Sequence, residues 1–88
     1  MPGSPRLKPL YLMKIMLDKT DAQNPITVPE IIAELAEYGI KAERKAIYDD
    51  LNVLRAFGID IEMVKSKKVG YYAASRLFDI LELKLLLS

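Results

Sequence analysis

The stretch that most limits what this chain can become is residues 27–58. It opens with Thr27-Val28-Pro29-Glu30. This is capping-box spacing, with Thr27 as the N-cap and Glu30 reaching back to it. Pro29 falls in the first turn, where a missing N–H costs nothing. Ile31, Ile32, Leu35 and Tyr38 then form an apolar stripe at helical spacing. Gly39, able to take a positive φ, ends the helix. A further helix is predicted over residues 43–57. Ile47, Leu51 and Leu54 share its buried face, and Gly58 stops it. Lys45, Tyr48, Asp49 and Asn52 lie opposite that face, and Arg44 lies on its flank. The link between the two helices is only about four residues. Two helices so joined, the second with a polar outer face, describe a helix-turn-helix.

The flanking segments complete the unit. Residues 7–19 read as a first helix, and Pro9 must sit in its first turn, so it starts near Lys8. Asp21-Ala22-Gln23-Asn24-Pro25 is a polar loop. Ile26 is suited either to pack on the helix or to add a short strand to a sheet. After Gly58 the period switches to two, with Ile59, Ile61 and Met63 alternating with Asp60, Glu62 and Val64. Lys65-Ser66-Lys67-Lys68 is a basic turn, and Val69-Gly70-Tyr71-Tyr72-Ala73 is the returning strand. Tyr71 and Tyr72 point to opposite faces, so one belongs to the core. The expected fold is α+β, a winged helix-turn-helix with a three-helix core and a β-hairpin wing.

The end of the chain differs in character. Leu77, Phe78, Ile80, Leu81, Leu83, Leu85, Leu86 and Leu87 crowd together, with Asp79 and Glu82 at capping-box spacing. A helix apolar nearly all round must be covered by the domain, by a second copy or by following sequence. The expected organisation is a flexible tail over 1–6 and a domain over 7–74. Residues 75–88 are then a linker or dimerisation helix, the start of a truncated C-terminal region.

Composition removes whole classes of function. The chain has no cysteine and no histidine. That excludes disulfides, thiolate chemistry, most zinc sites and the usual proton shuttle. There is no Gly-rich phosphate loop and no nucleophile beside a base. Asp49 and Asp50 are neighbours that diverge by about 100° on a helix, a poor arrangement for one shared site. The expectation is no enzyme, no cofactor and no metal. A net charge of +1 with 28% charged residues excludes a highly charged disordered chain, and by itself lends nothing to nucleic-acid binding. No run approaches the roughly 18 apolar residues of a membrane span, and the first residues lack a signal-peptide core. A cytoplasmic location is expected.

Several motifs in order carry a family resemblance. They are Val28-Pro29-Glu30-Ile31-Ile32, Arg44-Lys45-Ala46-Ile47-Tyr48-Asp49-Asp50-Leu51, Leu54-Arg55-Ala56-Phe57-Gly58 and Gly70-Tyr71-Tyr72. The closing Arg76-Leu77-Phe78-Asp79-Ile80-Leu81-Glu82-Leu83-Lys84-Leu85-Leu86 belongs with them. Together, over residues 7–87, they resemble the N-terminal winged helix and linker helix of WYL-domain transcriptional regulators, which are similar to the DeoR-type proteins of bacteria. The resemblance implies a cytoplasmic, nucleoid-associated regulator that binds operator DNA as a dimer. It also implies an effector ligand held by a C-terminal domain outside these residues. Two positions depart from the family pattern. Asp49 stands where many relatives carry a base, and Glu43 where many carry a short capping side chain.

The candidate DNA-binding residues follow from groove geometry. Lys45 suits guanine acceptors or a phosphate, and Asn52, about two turns on, suits adenine. Tyr48 suits a phosphate or a thymine methyl, or else packs half-buried on the second helix. Arg44 suits a phosphate or a base. Asp49 suits cytosine, or a pairing with Lys45. Lys65, Lys67 and Lys68 would lie along the backbone or minor groove. Arg6 and Lys8 are weaker phosphate candidates. The partner expected is double-stranded DNA, with a homodimer through residues 77–87. The alternative is a winged-helix interaction or dimerisation module without sequence-specific DNA binding.

Overall fold

The computed structural model describes residues 5–74, with the side chains of 6–74. Among these residues the order is a single 3₁₀ turn at Pro5–Leu7, α1 (Lys8–Lys19), α2 (Val28–Glu37), α3 (Arg44–Phe57), β1 (Ile61–Lys65) and β2 (Val69–Ala73). The molecule is a small α+β unit of three helices and a two-stranded antiparallel hairpin, compatible with the winged helix expected from the sequence. The 3₁₀ turn occupies part of the stretch expected to be a flexible tail. The segment expected to form the linker helix lies outside the described residues. Among those that are described, no helix is long and apolar enough to cross a membrane.

Each helix contributes one buried stripe to a common core. Leu12, Ile15 and Met16 come from α1, Val28, Ile31 and Leu35 from α2, and Ile47, Leu51 and Leu54 from α3. Ile40, Ile59, Ile61, Tyr71 and Ala73 close it from the loops and the hairpin. Full burial of such side chains stabilises by about 1.5–3 kcal/mol apiece. The capping box forms as the sequence requires. Glu30 Oε1 accepts from the Thr27 backbone N–H at 2.9 Å, and the Glu30 N–H donates to Thr27 Oγ1 at 3.3 Å.

Two helices end in the same way. Gly39 has φ 76°, and the Ile40 N–H returns to the Leu35 carbonyl at 3.0 Å. Gly58 has φ 117°, and the Ile59 N–H returns to the Leu54 carbonyl at 3.0 Å. In both, a left-handed glycine reverses the chain and the following isoleucine drops into the core. The reversal after α2 delivers α3 across it. The reversal after α3 delivers the hairpin.

The hairpin pairs Ile61 with Ala73, Met63 with Tyr71 and Lys65 with Val69. Its base is anchored to the helical body. Ile26 takes the strand role, exchanging two 2.8 Å backbone hydrogen bonds with Tyr71 on the outer edge of β2. Buried Thr20, just past α1, donates to the Met16 carbonyl at 2.6 Å and accepts from the Ala73 N–H at 2.9 Å. Gly70 lies against the loop before α2, where an added Cβ would stand 2.9 Å from Pro25 Cβ. The backbone groups that an edge strand normally leaves open are therefore used at residues 71 and 73.

Candidate functional site

The polar face of α3 is open. Lys45, Asp49 and Asn52 are exposed along its ridge, opposite Ile47, Leu51 and Leu54. Arg44, the first residue of the helix, is exposed on the flank toward the hairpin. Tyr48 is half-exposed on the same flank, with its ring edge-on to Tyr71 at 6.4 Å. Its ring meets the returning strand, and Val28 and Pro29 at the start of the second helix border the hollow beside it.

The hairpin stands beside this flank. A groove of about 780 Å³ runs between them, lined among others by Thr27, Glu30, Arg44, Tyr48, Met63 and Lys68. A smaller hollow of about 270 Å³ lies between the start of α2 and the turn, with Lys67 and Lys68 on its wall. The third helix, the start of α2 and the lysine-bearing turn therefore border one another. Lys65, Lys67 and Lys68 are all exposed. Glu30 feels this arrangement. The Thr27 backbone N–H and then its hydroxyl hold the Glu30 carboxyl below the usual carboxylate range, and the nearby Lys68 ammonium adds to the effect.

Two sequence-based expectations are corrected here. Lys8 was a candidate phosphate contact. Instead its ammonium lies 2.7 Å from Asp50 Oδ2, with both side chains largely covered. It ties α1 to α3. The suggested Lys45–Asp49 pair does not form among the described residues, and Asp49 projects outward. Arg6 is exposed at the start of the chain. Elsewhere Lys14 pairs with Asp18 and Lys19 with Glu34, and each partner raises the lysine's pKa.

Asn52 is less free than its spacing implied. Arg55 Nη1 donates to Asn52 Oδ1 at 2.8 Å, while Arg55 Nε donates to the Ile61 carbonyl at 3.1 Å. Arg55 was not singled out from the sequence. Its i,i+3 spacing from Asn52 was the available signal. Met63 and the Thr27–Glu30 box were likewise missed as walls of the groove. Glu43 is the N-cap of α3 but its side chain makes no capping bond, so the first amides of that helix lack the closure that Thr27 gives α2. Among the described residues no group of three carboxylates could hold a metal ion. Comparison with known proteins returns no matching family model, no matching curated protein and no matching solved structure.

Proposed function

We propose that this chain is a winged helix-turn-helix that binds double-stranded DNA as part of a transcriptional regulator. α3 enters the major groove along the Lys45–Asp49–Asn52 ridge, and the hairpin serves as the wing on the backbone or minor groove. One observation carries the reading: an exposed polar ridge on α3 shares a border with an exposed lysine turn. A helix is the right width for the major groove, and cations beside it supply phosphate contacts that orient the domain. Arg44, Lys65, Lys67 and Lys68 are the phosphate contacts in this reading. Lys45 and Asn52 meet bases, and Tyr48 braces the wing against the helix while offering its hydroxyl to a phosphate. Asp49 accepts from cytosine and repels a badly registered phosphate.

The same reading makes the protein a cytoplasmic, nucleoid-bound homodimer in a bacterium. Its copies join through residues 77–87, and any effector binds outside the residues described. The dimer sets the half-site spacing. Binding to duplex DNA measured across a salt series tests the proposal. If these four cations each neutralise one phosphate, the log–log slope is roughly −3.6. Absence of duplex binding at low salt, or no effect of Lys45→Ala, ends it.

One observation favours the interaction-module reading. Leu10 and Val53 are each more than half exposed, and Val53 lies on the flank of α3 away from the hairpin. Binding to a protein partner that is indifferent to salt and to Lys67→Ala would support that reading over the first.

A further inference from the structure

We propose that Arg55 is a positioning residue that turns Asn52 into a pure hydrogen-bond donor, so that this end of α3 selects guanine over adenine. The inference rests on the DNA-binding reading above. A free asparagine offers both an acceptor oxygen and a donor N–H₂ group. Adenine uses both: its N6 amino group donates to the oxygen, and its N7 accepts from the nitrogen. Guanine shows two acceptors in the major groove, N7 and O6, and asks only for donors.

In this molecule the oxygen of Asn52 is already engaged. Arg55 Nη1 holds it at 2.8 Å. The guanidinium is itself fixed, because Nε donates to the carbonyl of Ile61, the first residue of β1. A guanidinium is a rigid planar fork, so securing one arm sets the direction of the other. The amide of Asn52 is thereby oriented with Oδ1 turned toward the arginine. Among the described residues nothing accepts from its Nδ2. A cation beside Oδ1 also repels the positive edge of adenine's amino group. It welcomes the acceptor edge of guanine, to which Arg55 can add its own remaining donors. Asn52 shares its ridge with Lys45, seven residues and two turns away, another donor. Both ends of the ridge are thus set to meet acceptors, with Asp49 the acceptor between them.

The experiment is selection of bound duplexes from a random pool, run in parallel on the unaltered chain, Asn52→Ala, Arg55→Gln and Asn52→Asp. The base pair read by Asn52 is the one whose preference disappears in Asn52→Ala. At that pair the unaltered chain is expected to enrich guanine. Arg55→Gln should swing the guanine-to-adenine ratio by roughly tenfold toward adenine. Asn52→Asp, now an acceptor, should favour cytosine there. A residue that merely supported the fold would weaken all duplexes alike and leave this ratio unmoved. Enrichment of adenine by the unaltered chain overturns the inference while leaving the DNA-binding reading in place. So does an unchanged ratio in Arg55→Gln, or a preference that survives Asn52→Ala. If no duplex is enriched by any of the four, both fall together. Far-UV circular dichroism on each variant confirms that a folded domain was selected, and Asn52→Asp tests the donor assignment without touching Arg55.

Discussion

The base and the tip of the hairpin are built on opposite principles. At the base, Ile61 and Ala73 are buried against the helices. Ile26 is bonded to Tyr71, and Thr20 reaches from the end of α1 to the Ala73 amide. At the tip, Ser66 and Lys68 close the turn on themselves, and the lysine side chains stand in solvent. The base fixes where the ribbon stands relative to α3. The tip carries charge and little else. In the DNA-binding reading proposed above, structure and partner contact are therefore separable along some five residues of strand, and substitutions at the two ends should separate them too.

The largest effect is expected within one face of one strand. Ile61 is 4% exposed and Met63, two residues on, is 49% exposed. Ile61→Ala should cost about 2–5 kcal/mol of stability, as cavity-forming core truncations do. Met63→Ala should cost only about 1 kcal/mol, because about half of its surface stays in water on folding. Urea unfolding of both variants checks this. Equal losses would mean that the ribbon is buried along its whole length, and the contrast between base and tip would break.

The next effect concerns the Thr20 hydroxyl. Thr20→Val keeps the shape of the side chain but leaves the Ala73 N–H without its acceptor. A buried donor so stranded costs about 1–3 kcal/mol. Thr20→Ser keeps the hydroxyl and should recover most of the loss, measured by thermal unfolding. If valine is as stable as threonine, the base is held by packing and the Ile26–Tyr71 backbone bonds without help from the Thr20 hydroxyl.

A smaller effect links the tip to α2. The Glu30 carboxyl titrates below its ordinary range when folded, chiefly through the Thr27 backbone N–H and with help from Lys68. Its contribution is therefore present above the unfolded-state pKa and is lost as the pH falls through the folded-state value. The group is exposed, so solvent screening holds the effect below about 0.5 kcal/mol. Stability measured from neutral to acid pH should fall slightly more for the unaltered chain than for Glu30→Gln, which keeps the capping bond but does not titrate.

These contrasts also mark what the sequence made legible. Local signals held: the capping box at Thr27, the glycine stops at 39 and 58, and the switch of period that announced the hairpin. Each depends on residues within a turn or two of one another. The contacts that anchor the hairpin could not be read this way. Thr20 and Ala73 are 53 positions apart, and nothing near Thr20 shows that a distant amide will need its oxygen. Lys8 looked free for the same reason, since its partner Asp50 belongs to another helix. Alternation gave Met63 the correct face of β1 but not its depth, because the ribbon outruns the body that covers its base. At the candidate site, spacing placed Lys45, Asp49 and Asn52 on one open ridge. It did not disclose that Arg55, fastened to the first residue of β1, would occupy one end of the Asn52 amide.

The smallest effect on stability should come from the tip, and it is the one that separates folding from the proposed DNA contact most cleanly. Lys67 is exposed on the turn. Its ammonium makes no ion pair among the described residues. Lys67→Ala should therefore change stability by less than about 0.5 kcal/mol, as isolated surface substitutions do. If the lysine lies on a phosphate, duplex binding weakens by a similar factor on every sequence and the salt slope becomes shallower by about 1. Ile61→Ala should do the reverse, lowering the unfolding midpoint while leaving the slope of the folded fraction intact. Measuring both quantities on both variants makes the separation a matter of sign. A Lys67→Ala chain that changed its preferred bases would show that the tip reads sequence. One that kept the full salt slope would show that the tip lies off the DNA, leaving α3 and Arg44 to carry the electrostatics alone.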